Sequence, residues 1–158
     1  MTDFAQLLET LVGSGVRFIV VGGVAATVHG SARLTQDLDV VYARDEDNLV
    51  QLVDAISPLK PYQRGAPQGL PFVWDARTLR AGLNFTLSTS LGDLDLLGEI
   101  VGGGGYEQLV DDAVVVQLDA VEFLCLGLHR LIEVKRAAGC PKDLEAIAEL
   151  EVIRDEMS

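Results

Sequence analysis

Basic side chains are scarce in this sequence. Twelve Lys and Arg stand against 24 Asp and Glu, giving a formal net charge of −12 over 158 residues. Such a chain is no general binder of the phosphate backbone, whose affinity depends on clustered Lys and Arg. A local basic pocket for one nucleotide stays open. Cysteine is scarcer still: Cys125 and Cys140 stand fifteen positions apart with no pairing pattern. That excludes a disulfide scaffold and fits two reduced thiols in a cytoplasmic protein. Long apolar runs are missing, and a stretch such as 18–21, followed by Gly22 and Gly23, is far short of the ~20 residues that cross a bilayer. No membrane partner is expected. The opening Met1-Thr2-Asp3-Phe4 has no basic stretch leading into an apolar core, so no secretory leader is read there. Apolar material is nonetheless plentiful, at 49% hydrophobic against 23% charged residues, which argues against disorder and for one domain over 1–158.

Periodicity divides that domain into alternating elements. Phe4, Leu7, Leu8, Leu11 and Val12 predict a helix over 3–13, stopped by Gly13-Ser14-Gly15. An apolar strand over 16–21 follows, then a short helix over 24–29, a polar loop over 30–36 and a strand over 37–42. A surface helix over 45–56 leads into a Pro- and Gly-rich segment, 57–75, read as loop with short extended pieces. Residues 77–80 read as one helical turn, and 83–89 and 92–98 as two strands. The four glycines Gly102 to Gly105 lack the Lys-Ser/Thr of a P-loop and read as a flexible loop. A strand over 114–118 precedes a helix with Asp119 as N-cap, running to about Ala138 through Val121, Leu124, Leu128, Leu131 and Ile132. Gly139 fits the stop of that helix and Pro141 the first turn of a last one, which reaches about Asp155. The expected class is α/β (α+β): a mixed sheet of about four or five strands flanked by helices. The core spans 16–118 and a C-terminal helical part spans 119–156.

The sharpest local feature is Val21-Gly22-Gly23, thirteen residues, then Asp37-Leu38-Asp39-Val40. On a strand Asp37 and Asp39 share a face, their Cβ atoms roughly 6.5–7 Å apart. Two carboxylates so placed repel unless a cation sits between them, and a hard divalent ion such as Mg²⁺ is the natural partner. A solvated strand edge is the plain alternative. Asp95, in Asp93-Leu94-Asp95-Leu96-Leu97, offers a third acid on another strand; Asp93 shares its face but follows Gly92 at a turn. Three convergent acids can hold metal for chemistry on a triphosphate. Gly22-Gly23 lets backbone approach a ligand closely, or simply turns tightly. Arg33 can clamp phosphate oxygens or stand as a surface arginine, while Ser31 and Thr35 can donate weaker hydrogen bonds or cap the loop.

The run from Val21 to Val40 resembles the signature of the nucleotidyltransferase superfamily, the polymerase-beta-like fold. That signature is a hydrophobic residue, Gly, Gly or Ser, a spacer, then Asp, hydrophobic, Asp or Glu, hydrophobic. The resemblance implies a minimal nucleotidyltransferase fold in which Asp37, Asp39 and Asp95 ligate Mg²⁺, with Mn²⁺ as a substitute, and carry the catalysis. It implies Gly22, Gly23, Ser31, Arg33 and Thr35 around an NTP co-substrate. The run from Leu131 to Leu144 resembles the helix–turn–helix ending of small bacterial members, including those related to the AbiEii-type toxins of toxin–antitoxin pairs. Lys135, Lys142 and Asp143 then belong to the nucleotide site. Cys140 departs from the arginine often found there, and Ala146 from an aspartate.

The activity implied is transfer of a nucleoside monophosphate to a hydroxyl of a tRNA end, a protein or a small molecule, with release of pyrophosphate. An acidic chain grips long RNA poorly, so tRNA calls for a partner protein or a homodimer to complete the cleft. Two other classes stay open: an idle nucleotide-binding or regulatory protein, and an acidic protein-interaction module.

Overall fold

The computed structural model describes residues 2–67, 69–139 and 144–157. Helix α1 (Phe4–Gly13) starts where the Asp3 carboxylate accepts the Gln6 N–H, and it buries Leu7, Leu8 and Leu11. Strand β1 (Phe18–Val21) is buried at all four positions, as an apolar strand covered on both faces is. Helix α2 (Gly22–Val28) follows without a linker, and β2 (Asp37–Tyr42) comes after the polar loop. Helix α3 (Glu46–Ile56) is capped by Asp45, whose carboxylate accepts the Asn48 N–H. Wholly buried Asn48 accepts the Arg17 N–H at 2.7 Å and donates to the Arg17 and Ala43 carbonyls. That side chain joins α3 to the chain entering β1 and leaving β2.

The Pro- and Gly-rich segment contains a two-residue strand, β3 (Tyr62–Gln63), and leads to α4 (Ala76–Ala81). The hairpin β4 (Asn84–Thr89) and β5 (Gly92–Leu97) comes next, then the single turn α5 (Tyr106–Leu109). Strands β6 (Ala113–Leu118) and β7 (Val121–Leu126) form a second hairpin, followed by helices α6 (Leu128–Ala138) and α7 (Leu144–Met157). Among the described residues one sheet runs in the order β3-β4-β5-β2-β1-β7-β6. Strand β2 is antiparallel to β1 and parallel to β5, and β7 lies parallel to β1.

Seven strands replace the four or five expected, and the largest correction lies at Asp119. It caps no helix. Leu118 pairs with Val121, which makes Asp119-Ala120 a two-residue turn, with Asp119 at φ +54°, a conformation that Asp tolerates better than most residues. Residues 121–126 are strand, with Phe123 and Cys125 buried and Glu122 exposed, and the helix begins at Leu128. The sheet therefore extends into the stretch expected to be a helical C-terminal part. Gly139 does close α6 in the left-handed region. The proline expected to open the next helix, Pro141, lies outside the described residues. Gly102 to Gly105 form a packed turn rather than a loose loop: a Cβ on Gly102 would fall 2.1 Å from the Ala137 Cβ. No described helix is long and apolar enough to cross a membrane.

Candidate active site

The acids stand on the two central strands β2 and β5. Leu38, Val40, Leu94 and Leu96 are wholly buried on one face, which fixes the intervening aspartates to the other. The parallel register sets Asp37 beside Asp93 and Asp39 beside Asp95. Asp37, Asp39 and Asp95 each bring one carboxylate oxygen within 4.8 Å of the others. Thr2 helps align the two strands, for its hydroxyl donates to the Gln36 carbonyl and accepts the Asp93 N–H.

Asp39 is the most perturbed of these groups. Burial, then the carboxylates of Asp95 and Asp37, push it up to about 7, because a charged form that is desolvated and crowded by like charge is disfavoured. Burial also raises Asp37, an effect that Arg64 opposes. Asp39 Oδ1 is buried and has no hydrogen-bond partner among the described residues.

The glycine pair makes room for this arrangement. Gly22 has φ +67°, and a Cβ there would lie 2.1 Å from Asp39 Oδ2. A Cβ on Gly23 would lie 2.6 Å from Thr35 Oγ1. Only hydrogen fits between the start of α2 and the residues beside it, so the spacing of Gly22-Gly23 and Asp37-x-Asp39 is a steric requirement as well as a pattern.

Ser31, Arg33, Thr35 and Lys135 line one cavity of about 160 Å³ with Gly23 and Glu149. Ser31 Oγ donates to Glu149 Oε1 at 2.6 Å, the Ala32 N–H donates to Glu149 Oε2, and Arg33 Nη2 pairs with Glu145 Oε2 at 3.0 Å. Helix α7 thus holds the loop that joins the glycines to Asp37. Lys142 and Asp143 lie outside the described residues. His29 Nε2 donates to the Leu126 carbonyl at 2.8 Å, tying α2 to the end of β7. A second cavity of about 420 Å³ shares Leu34 and Thr35 with the first and is completed by Thr2, Gln36, Gly92 and Asp93.

Sequence reasoning missed Arg64. It follows β3, in the segment read as loop, and its guanidinium lies 2.6 Å from Asp95 Oδ1, 3.4 Å from Asp93 Oδ1 and 3.7 Å from Asp37 Oδ2. Nη2 also donates to the Leu87 carbonyl at 2.8 Å. Four acids on one sheet face do signal that a cation is needed, but neither spacing nor period identifies which one. Glu149 was missed for the same reason.

The donor set suits a hard divalent cation. It consists of carboxylate oxygens alone, which Mg²⁺ and Mn²⁺ prefer, and the orphaned Asp39 Oδ1 has no other described partner to satisfy it.

No protein-family model matches the chain, and no curated protein sequence matches it. Solved structures do. The Thermotoga maritima protein TM1012, provisionally assigned as a nucleotidyltransferase, superposes with a TM-score of 0.53 at 12% identity, over 97% of this chain and 89% of its own. The lincosamide antibiotic adenylyltransferase LnuA, solved with lincomycin bound, superposes with a TM-score of 0.63 at 14% identity, over 96% of this chain and 98% of its own. At these identities the likeness is one of fold, and the fold of this chain is similar to that of nucleotidyltransferases.

Proposed function

We propose that this chain is a divalent-metal-dependent nucleotidyltransferase that moves a nucleoside monophosphate from an NTP to a hydroxyl acceptor. The observation that carries the reading is the convergence of Asp37, Asp39 and Asp95 within 4.8 Å, beside the Gly22-Gly23 turn. Similarity of fold to an adenylyltransferase supports it, although a fold alone does not fix a function.

In the reaction a bond forms between the acceptor oxygen and the α-phosphorus while the bond from that phosphorus to the β-bridging oxygen breaks, and pyrophosphate leaves. Mg²⁺ or Mn²⁺ held by Asp37, Asp39 and Asp95 would neutralise phosphate charge and lower the pKa of the attacking hydroxyl. Asp39 or Asp95, adjacent in the parallel register of β2 and β5, would assist the attacking hydroxyl, as base or through the metal they share. Ser31, Arg33, Thr35 and Lys135, which line the smaller cavity, would contact phosphate groups of the nucleotide; the assignment of Lys142 and Asp143 to the nucleotide rests on the sequence resemblance. Positioning and charge neutralisation would then supply most of the rate enhancement.

A small-molecule hydroxyl is the acceptor the site supports best. The chain spans nearly the full length of LnuA, and the 420 Å³ cavity beside Asp93 falls within the ordinary range for small ligands of about 300–1,000 Å³. A toxin-like reaction on a tRNA end would need positive charge from a partner protein or a second copy, given the net charge of −12.

The test is a labelling assay with each α-labelled NTP and Mg²⁺ or Mn²⁺, with lincosamides, aminoglycosides, cell protein and total tRNA as acceptors. Transfer by the wild type that falls by about 10³ or more in Asp39→Asn supports the reading, a loss on the scale of removing a key electrostatic group. Metal-dependent NTP binding without transfer would replace it with the idle binder. Neither binding nor transfer would leave the acidic interaction module.

A further inference from the structure

Arg64 is the cation at the centre of the acid cluster, and its bonding is unevenly satisfied. One contact is short, Nη2 to Asp95 Oδ1 at 2.6 Å. The other two, to Asp93 at 3.4 Å and Asp37 at 3.7 Å, are charge attractions rather than hydrogen bonds. Its Nε is buried with no hydrogen-bond partner among the described residues. Arg–carboxylate pairs frequently form two parallel bonds between the fork and one carboxylate; this guanidinium is shared among three acids and hydrogen-bonds to one of them.

The segment that carries Arg64 lies at the edge of the sheet, and besides its acids the guanidinium is held by the Leu87 carbonyl, 2.8 Å from Nη2. Strand β3 is two residues long and forms the edge of the sheet, and the Arg64 N–H donates to the Thr86 carbonyl at 3.0 Å. Edge segments with few ladder bonds open at low cost. The acids that pair with Arg64 include Asp37 and Asp95, and these same two complete the trio with Asp39. A divalent ion seated among the three would draw on two carboxylates, those of Asp37 and Asp95, that the guanidinium already attracts, and the two cations would repel each other.

We propose that Arg64 is a displaceable counter-ion of the carboxylate cluster. It offsets the repulsion among Asp37, Asp93 and Asp95, competes with the divalent ion for Asp95 and Asp37, and so sets the affinity of the site for metal. This rests on the reading of the three acids as a metal site. Arg64 is here a positioning residue for the acids, not a catalytic one.

The test is Mn²⁺ binding without nucleotide, followed by electron paramagnetic resonance and calorimetry, on wild type, Arg64→Lys and Arg64→Gln. Removing a competitor strengthens binding, so Arg64→Gln is expected to bind Mn²⁺ about tenfold or more tightly than wild type, with Arg64→Lys between them. Mn²⁺ is also expected to raise the melting temperature of Arg64→Gln more than that of wild type. A purely structural arginine moves these readouts the other way. Equal or weaker binding by a folded Arg64→Gln overturns the proposal while leaving the metal site standing; no Mn²⁺ binding by any of the three overturns both. Should the Gln variant fail to fold, nitrogen NMR of the wild type decides. Titration with Mg²⁺ is expected to shift the Arg64 Nε–H resonance, and a resonance that stays fixed while Mg²⁺ binds refutes the competition.

Discussion

A β-carbon on Gly22 would stand 2.1 Å from Asp39 Oδ2, and the backbone of Gly22 lies at φ +67°. Two penalties therefore meet at one residue, left-handed strain and a collision with a central carboxylate. Gly22→Ala is expected to destabilise the fold by about 1–3 kcal/mol, the usual range for a non-glycine residue forced into such a conformation. It should also abolish Mn²⁺ binding, because Asp39 has to move. Chemical denaturation and Mn²⁺ calorimetry check the two effects separately. Full metal affinity in the alanine variant would show that the Gly22–Asp39 contact does not shape the site.

Asn48 tests the scaffold apart from the site. Its carboxamide accepts the Arg17 N–H at 2.7 Å and donates to the Ala43 carbonyl at 2.7 Å and the Arg17 carbonyl at 3.1 Å, all with no exposure of the side chain. Asn48→Leu keeps the branched shape of the side chain, adds some bulk and strands backbone groups in the interior. A loss of about 2–4 kcal/mol in urea is expected, since a buried group left unsatisfied costs about 1–3 kcal/mol. Once the folded fraction is accounted for, Mn²⁺ affinity should be unchanged.

Gly22 and its partner acids also show what is legible in the sequence. The pairing of Gly22-Gly23 with Asp37-x-Asp39 is local and steric, so it survives as a pattern. Leu38 and Val40 on β2 and Leu94 and Leu96 on β5 are buried in alternation with the aspartates, which is why Asp37, Asp39 and Asp95 can be placed on one sheet face. Residues 121–126 mislead because Val121, Leu124, Leu128, Leu131 and Ile132 satisfy a helical stripe while Phe123 and Cys125 satisfy a strand. The strand prevails because β1 needs a neighbour on the side away from β2, and β7 supplies it. Arg64 is hidden for another reason. It reaches Asp95 from 31 positions away, out of a Pro- and Gly-rich segment, through the geometry of β3, β4 and β5, and no local period encodes such an approach.

Cys125 gives a readout of that same strand. The thiol sits at 0% exposure within β7 and burial pushes it up to about 12, so almost none of it is thiolate at pH 8. In a Cys140→Ser background, where Cys125 is the sole thiol, alkylation by iodoacetamide is expected to follow global unfolding. Its rate should rise with urea along the denaturation curve. Fast labelling under native conditions would mean that β7 opens locally, contrary to its place between β1 and β6.

The raised Asp39 carboxyl makes a prediction about stability, and its sign follows from proton linkage. In the folded chain burial and the neighbouring carboxylates push the group up to about 7, against about 3.9 when unfolded. Between those values the folded state holds a proton that the unfolded state has released, so this group's contribution to stability is fully present below about pH 4. It is lost as the pH rises through 7. Asp39→Asn mimics the protonated form and removes the dependence. In EDTA, the stability of Asp39→Asn relative to wild type is therefore expected to increase by about 2–4 kcal/mol from pH 4 to pH 8, taking about 1.4 kcal/mol for each tenfold difference in proton affinity between the folded and unfolded chain as an upper scale. Comparing the two proteins at each pH cancels the shared groups that do not interact with Asp39, while Asp95 and Asp37, which do, contribute to the difference. With Mg²⁺ present the trend should shrink in the wild type, because a bound cation favours the ionised carboxylate, and remain unaltered in the variant. A stability difference that is flat with pH in EDTA would mean that Asp39 is ionised in the folded chain at neutral pH, and among the described residues the four acids would then share Arg64 as their counter-ion.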